Sequence, residues 1–310
     1  MHLLIPNASA LSDAGTHTLR DLNLPKLTQV LARLTPTQRV GTDEYSLTPP
    51  HERALADTWG WHGADGALPF AARQAAADGV DVQDRAWGLL TPVHWHVGRD
   101  HISLVDPAEL ALPAAESQRL LDAVRELFES EGWTLAHGAD AHWYAAHDTL
   151  DGLPCASIDR VIGRNVDLWL PNHPQARLVR RLQNEVQMLL YTHPINDARE
   201  ARGERPVNSF WLSGCGRLQK VDASAAIQVD NSLRAALMSD DWAAWADAWR
   251  ALDAGALADL LARSQRGEAV TLTLCGERHA QRLESVPQPV WQRLTRGWRA
   301  APVHSVLEAL

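Results

Sequence analysis

Residues 191–216, YTHPINDAREARGERPVNSFWLSGCG, are the part of the sequence that indicates the fold most specifically. Proline, glycine and charged residues stand there at spacings that a generic core does not need. His193-Pro194 is expected to end a helix, because proline restrains the residue before it and has no backbone N–H to donate. A short polar helix should follow, with Arg199 and Arg202 on one face.

The second half of this stretch predicts a strand and then a loop. Pro206 redirects the chain into the apolar run 207–212, whose composition is typical of a strand. Gly214 and Gly216 come directly after this run, and we expect them to open a loop. The whole stretch therefore predicts a junction where one helix ends, a short helix carries arginines, and a strand returns to the core.

Composition limits the class of protein. With 310 residues, 45% of them hydrophobic and 22% charged, the chain can bury a full core in one large domain or two unequal ones. The net charge of -9 argues against nucleic acid or an anionic membrane as a partner. The cysteines are isolated, so neither a disulfide framework nor a zinc ribbon is indicated. The opening residues, MHLLIPNASALSDAG, lack the features of a leader, and we expect a cytoplasmic protein in a reduced compartment.

Tryptophan is unusually frequent, with 13 residues against 3 phenylalanines and 3 tyrosines. Trp242, Trp245 and Trp249 recur at i, i+3 and i+7, which is one stripe of a helix. This spacing favours core packing over a ligand cage. An exposed interaction surface is the alternative, and solvent accessibility decides between the two.

The beginning of the chain indicates an α/β fold. Residues 2–5 are apolar and predict a short strand. Leu24, Leu27, Leu31 and Leu34 follow at helical spacing. A strand followed by a helix is the typical opening unit of α/β proteins.

Three histidines form the best local cluster of metal-like ligands. His94 and His96 are two apart in a strand predicted over 86–97, so they should share one face, and His101 follows shortly after Asp100. One divalent metal could be held there if further ligands approach. The alternative is that these histidines are structural groups held by hydrogen bonds.

A local excess of basic residues surrounds the opening stretch. Eight Lys or Arg residues stand between Arg177 and Lys220 against four Asp or Glu residues. Such a patch is either an anion-facing surface or a solvated helix. Arginine would recognise a phosphate or carboxylate through its bidentate fork. The candidate anion-binding residues are His193, Asn196, Arg199 and Arg202.

The same stretch resembles part of a known protein family. HPIN-x2-R-x2-RG-x2-PVNSFWLSGCG resembles the segment by which archaeal-type, cofactor-independent phosphoglycerate mutases of the alkaline phosphatase superfamily leave their inserted substrate domain and return to the core. Upstream, residues 66–79 are similar to the family's glycine-bearing turn and small-residue helix, and 86–97 to a core strand. The helix beginning at Pro113 and the hairpin 133–146 are similar in order and spacing to the inserted domain.

The resemblance covers residues 1–217 and implies a fold. We expect an α/β protein with an alkaline-phosphatase-like core, formed by residues 1–100 and 207–310. A smaller α+β domain, residues 101–206, is expected to interrupt that core.

The chain departs from the family at the active site. These mutases move a phosphoryl group through a Ser or Thr nucleophile beside two divalent metals held by Asp and His residues. Where the family's first strand ends in a metal-binding Asp-Gly, this chain has Pro6-Asn7, and the only nearby acid is Asp13. The nucleophile position falls before a helix predicted near residue 51, which leaves Ser46 or Thr48 as candidates.

The last part of the chain departs further. The family needs an Asp-x3-His element, an Asp-His pair and a final His after the segment that ends at Gly216. Here only His279 and His304 follow, and no Asp-His pair occurs. We therefore expect no two-metal site and no cofactor.

These departures predict a degenerate, non-catalytic relative. It would bind an anionic small molecule, phosphorylated or carboxylate, or a protein partner, in a regulatory role. A small group of proteobacterial proteins labelled phosphoglycerate mutase or regulatory protein is similar. The alternative is an active metal-dependent phosphomutase or phosphohydrolase that uses the His94, His96 and His101 cluster with one metal.

Overall fold

The structure is a computed structural model that describes residues 1–139, 142–222, 226–286 and 302–310. The strands in these ranges are β1 (His2–Ile5), β2 (Thr35–Val40), β3 (Ala86–Val93), β4 (Trp95–Val97), β5 (Ile102–Leu104), β6 (Thr134–His137), β7 (Trp143–Ala146), β8 (Ser209–Arg217), β9 (Ile227–Val229), β10 (Thr271–Cys275) and β11 (Ala280–Glu284). The helices are α1 (Asp13–Asp21), α2 (Pro25–Arg33), α3 (Pro50–Thr58), α4 (Phe70–Ala77), α5 (Ala114–Glu129), α6 (Arg177–Tyr191), α7 (Pro194–Ala201), α8 (Arg234–Met238), α9 (Trp242–Ala254), α10 (Ala256–Gln265) and α11 (Val303–Glu308). The predicted α/β class is confirmed.

The chain forms two compact units. The first unit contains Met1–Glu44, Pro49–Trp59 and Val221–Leu310, and the second contains Tyr45–Thr48 and Gly60–Lys220. No helix among the described residues combines the length and apolar character needed to cross a membrane.

These units do not follow the expected domain limits. The sequence predicts a core of residues 1–100 and 207–310 with 101–206 inserted, whereas the second unit also contains residues 60–100 and 207–220. The reason is strand pairing, because β3 and β8 pair along most of their length. The insertion boundaries within a family-like core stay a prediction.

The first unit is built on a mixed sheet in the order β2-β11-β10-β1-β9. β1 is parallel to β10 and β9, and β11 is antiparallel to β10 and β2. Leu3 and Ile5 point into the core formed with the helices, whereas Leu4 points to the opposite face, beside Ala54 of α3. The predicted strand over residues 2–5 and the helix after it are both confirmed.

The predicted tryptophan stripe belongs to the core of this unit. Trp245 and Trp249 of α9 are fully buried and meet edge to face, with ring centroids 6.4 Å apart. Trp242 is partly buried against Trp245. Core packing is therefore confirmed for this stripe. The tryptophans of segment 287–301 lie outside the described residues.

The second unit is built on an antiparallel sheet in the order β6-β7-β3-β8. The predicted hairpin is β6 paired with β7. The strand predicted over 86–97 is divided at His94 into β3 and β4. A proline at position 92 predicts either a bulge or an edge in this strand, and the register shift lies elsewhere, between Trp87 and Leu89. Pro92 stands beyond the last β3–β7 pair, where the N–H that proline lacks is not needed.

Gly214 and Gly216 do not open a loop, which corrects the sequence interpretation. Both lie inside β8, with φ of 64° and 143°. A Cβ on Gly214 would stand 2.8 Å from the backbone nitrogen of Ala71, and one on Gly216 would stand 3.2 Å from Pro69 Cβ. The glycines are needed because α4 packs directly on this strand, and only glycine allows that approach at positive φ.

Candidate functional site

The two candidate nucleophiles lie in the loop before α3, in the second unit. The Thr48 hydroxyl accepts a hydrogen bond from the backbone nitrogen of Gly66 at 2.7 Å and is buried. The carboxylate of Asp65 accepts from the backbone nitrogens of Leu47 and Thr48, at 2.8 and 2.9 Å. Thr48 is therefore part of the loop's own framework.

Ser46 differs from Thr48 in having a charged side chain beside its hydroxyl. Its hydroxyl oxygen accepts from Nη2 of Arg160 at 2.7 Å and donates to the carbonyl oxygen of Thr48 at 3.3 Å. The Arg160 side chain is almost fully buried. A guanidinium at this distance would stabilise negative charge beside the serine oxygen, but a carbonyl oxygen is too weak a base to accept the serine proton. Sequence reasoning missed Arg160, because no local pattern links it to a loop 114 residues away.

Arg199, the first anion-binding candidate, is fully buried. Its Nη1 lies 2.8 Å from Oε2 of Glu116, its Nε donates to the carbonyl oxygen of Arg205 at 2.9 Å, and its Nη2 donates to that of Leu110. All three guanidinium nitrogens therefore bond to the protein itself.

Arg202 extends the same network at the surface. Its Nη2 lies 2.7 Å from both Glu116 Oε1 and Glu204 Oε2. The hydrogen bond from Arg202 holds the pKa of Glu204 below its ordinary value, and Glu204 with Glu116 raises the pKa of Arg202. Arg199 lies in α7 and Arg202 is the residue directly after that helix, and both side chains reach Glu116.

The other two candidates at the junction hold the backbone. His193 caps α7 through Nδ1, which accepts from the backbone nitrogen of Ile195, and burial lowers the pKa of His193. Asn196 donates to the carbonyl oxygens of Leu190 and Val207 and accepts from the Val207 nitrogen. These contacts fix the turn between α6 and β8. Anion binding at the four residues stays a prediction.

The metal candidates are spread along the chain: His94 lies between β3 and β4, His96 lies in β4, and His101 lies in the turn before β5. The rings of His94 and His96 are 6.5 Å apart, and Nδ1 of His94 is 2.9 Å from the carbonyl oxygen of Pro206. His96 and His101 are exposed. Within the described ranges, no group of three or more His, Cys, Asp or Glu side chains could hold a metal ion. A metal at these histidines stays a prediction.

The carboxyl edge of the parallel strands in the first unit is where α/β proteins bind ligands. Asn7 follows β1 with φ of 59° and is buried. Its carbonyl oxygen accepts from the indole nitrogen of Trp245 at 3.2 Å, and its Oδ1 has no hydrogen-bond partner among the described residues. A neutral amide oxygen lacks the charge that two dications need from their ligands. Asn7 therefore does not fit the predicted family's two-metal centre.

The same edge is filled by residues of this unit. A Cβ on Gly276, directly after β10, would stand 2.6 Å from Leu310 Cβ and 2.9 Å from Ser9 Cβ. The carbonyl oxygen of Leu310 accepts from the backbone nitrogens of Arg278 and His279. Leu310 is itself buried. The position directly after β10 is therefore packed closely against Leu310 and Ser9.

Comparisons with known proteins add similarity at low identity. No protein-family model matches the chain, and no curated protein does. A cofactor-independent phosphoglycerate mutase from Thermoplasma acidophilum is similar over 99% of this chain and 98% of its own, with 14% identity and a TM-score of 0.38. The PH0037 protein from Pyrococcus horikoshii is similar over 92% and 87%, with 12% identity and a TM-score of 0.41. At these TM-scores neither likeness carries an argument about activity.

Proposed function

We propose that this chain is a non-catalytic relative of cofactor-independent phosphoglycerate mutases that binds an anionic small molecule or a protein partner in a regulatory role. The observation that supports this most is the filled carboxyl edge of the first unit. Leu310 and Ser9 close on Gly276 there, and Pro6-Asn7 stands where the resembling family has a metal-binding Asp-Gly.

Phosphoryl transfer by the resembling family requires ligands that the carboxyl edge of the first unit would have to supply. Two dications about 4 Å apart need several anionic ligands, because their mutual repulsion must be offset. The carboxyl edge offers the amide of Asn7, the hydroxyl of Ser9 and the aliphatic side chain of Leu310, none of which carries negative charge. Two carboxylates lie at the same edge, and both accept hydrogen bonds from the backbone: Asp230, directly after β9, accepts from Ser232, and Glu277 accepts from Leu11. Two carboxylates already held in this way are fewer charges than the Asp and His set of a two-metal site.

One observation favours the alternative, a phosphomutase or phosphohydrolase. Ser46 has a buried guanidinium 2.7 Å from its hydroxyl oxygen, an arrangement that could stabilise a phosphoryl group. Such an enzyme would still need a base for the serine proton. A metal-dependent enzyme of this kind would use His94, His96 and His101 to hold one divalent metal.

Metal analysis of the purified protein separates the two proposals. After incubation with Mn²⁺ or Zn²⁺ and removal of free metal, we expect less than about 0.1 metal ion per chain, because a site with few anionic ligands binds dications weakly. Stoichiometric metal that is lost in the His94→Ala, His96→Ala double variant would contradict the proposal and support the enzyme.

A further inference from the structure

The first unit contains a cleft of about 620 Å³ at the edge of the sheet where β1 and β10 begin. This is the opposite end of these strands from Gly276 and Leu310. The side chains that line it are mostly polar, and none belongs to the candidate sites described above. The polar side chains that line the cleft include His2, Asp57, Thr58, Thr271, Arg282 and Glu284.

Strand register brings these side chains together. His2 pairs with Thr271 across β1 and β10, and Thr271 pairs with Glu284 of β11. Because side chains alternate along a strand, Arg282 stands on the same face as Glu284. On this face of the sheet, Leu4, Cys275 and Ala280 form an apolar patch beside α3. The polar side chains lie at the end of the same face where β1 and β10 begin. The cleft is therefore built from the polar end of an otherwise buried face.

Arg282 is oriented for recognition by a contact within its own strand. Its Nε lies 2.7 Å from Oε1 of Glu284, which fixes the plane of the guanidinium. Its Nη1 and Nη2 make no hydrogen bond to another described residue. These two nitrogens are the pair that would bind an oxyanion in bidentate fashion.

His2 stays neutral beside this arginine. Burial is the main cause that lowers the pKa of His2 to about 4, and the charge of Arg282 adds to it. The ring accepts from or donates to the Thr273 hydroxyl through Nε2, at 2.8 Å. At neutral pH the His2 ring therefore lines the cleft as a polar group without charge.

The cleft offers both signs of charge to a ligand. Arg282 is the positive side chain, and Asp57 and Glu284 are negative. Asp57 and Thr58 lie at the end of α3, where helix carbonyls favour a cationic group. A phosphate would meet two carboxylates there, whereas a molecule with separate positive and negative groups would match the walls.

We propose that this cleft binds a small zwitterion, an α-amino acid. Its carboxylate would lie on Nη1 and Nη2 of Arg282, and its ammonium group would lie toward Asp57 and the end of α3. This goes beyond the proposed function, since it names a site and a ligand class and holds whether or not the chain catalyses a reaction.

Calorimetric titration of the full chain tests this inference. Glycine, L-serine and L-lysine would each be titrated and compared with acetate, methylammonium and inorganic phosphate. We expect at least one amino acid to bind about tenfold more tightly than acetate, methylammonium or phosphate. Each of these three probes carries charge of one sign, whereas an amino acid can contact both the positive and the negative side chains of the cleft. Arg282→Gln should weaken that binding about tenfold or more.

A matched control and a second variant distinguish loss of binding from loss of folding. Arg266 also pairs through Nε with a glutamate two residues later, Glu268, but lies outside the cleft, so Arg266→Gln should leave binding unchanged. Thr271→Val keeps a β-branched residue in the strand and should weaken binding about threefold. The inference is overturned if no amino acid binds below about 10 mM, if phosphate binds most tightly, or if folded Arg282→Gln and Thr271→Val bind like the wild type.

Discussion

Nη1 of Arg199 lies 2.8 Å from Oε2 of Glu116, and the arginine side chain is fully buried. This pair joins α7 to the beginning of α5, and the carbonyl oxygens of Arg205 and Leu110 complete the arginine's hydrogen bonds. A buried charge that is fully bonded gives little net stability but is costly to break. The contact therefore identifies Arg199 as a group on which the folding of the junction depends.

Arg199→Ala should strongly destabilise the protein. Removal of the guanidinium leaves Glu116 with Arg202 as its remaining partner and leaves two backbone carbonyls without the arginine, at a cost of about 3–5 kcal/mol in the free energy of unfolding. Arg202→Ala removes a partner of the same glutamate at the surface, and its effect should be much smaller. Urea denaturation followed by circular dichroism measures both. Equal losses in the two variants would refute the buried role of Arg199.

Arg202→Ala alone is the better test of anion binding at the junction. A double variant with Arg199→Ala would mix loss of folding with loss of binding. If the predicted anion site exists, Arg202→Ala should weaken the binding of inorganic phosphate about threefold or more, because one charged hydrogen-bond donor is lost. Unchanged phosphate affinity in the folded variant removes this proposal.

Gly214→Ala should be more damaging than Gly203→Ala. Both glycines have positive φ, 64° and 75°, so each alanine costs about 1–2 kcal/mol in backbone strain. Only at Gly214 would the new Cβ also meet a backbone atom, the nitrogen of Ala71, whereas no atom lies within 4 Å of a Cβ on Gly203. Thermal melting compares them. Equal melting temperatures would show that α4 does not press on β8.

Asp78 should make stability depend on pH in the acid range. Burial alone would raise the pKa of Asp78, but hydrogen bonds from Tyr144 and His142 outweigh it and lower the pKa. The stabilisation is therefore complete above the ordinary aspartate pKa of about 3.9 and is lost as pH falls through the lower folded value.

Asp78→Asn should lower stability at pH 7 and flatten the decline in stability below about pH 4. The hydroxyl of Tyr144, 2.7 Å from Asp78 Oδ2, would lose a charged acceptor. The control is Asp81→Asn, at an exposed position three residues away, which should leave the profile unchanged. Urea midpoints from pH 2.5 to 7 measure this, and an unaltered profile in Asp78→Asn would contradict the assignment.

Local chemistry explains what the sequence predicted well. The break at His193-Pro194 was predictable because proline and the capping imidazole act within a few residues, and α6 ends at Tyr191 as expected. The burial of Trp245 and Trp249 was predictable because helical spacing alone places them on one stripe.

Contacts between distant segments explain what the sequence did not predict. Gly214 resembles a loop residue in isolation, and only the packing of α4 explains why it lies inside a strand. Arg160 reaches Ser46 from a separate turn, with no periodic signal that joins them. The cleft beside Arg282 depends on strand order, since β11 lies between β10 and β2 although β2 comes early in the chain.

Turnover of phosphoglycerates tests the central claim most directly. The purified full chain would be incubated with 2-phosphoglycerate or 3-phosphoglycerate and with Mg²⁺, Mn²⁺ or Zn²⁺, and the interconversion followed by ³¹P NMR. The proposed non-catalytic function predicts no conversion above that of the metal alone. Conversion that disappears in Ser46→Ala or Thr48→Ala would contradict it and establish the chain as an enzyme.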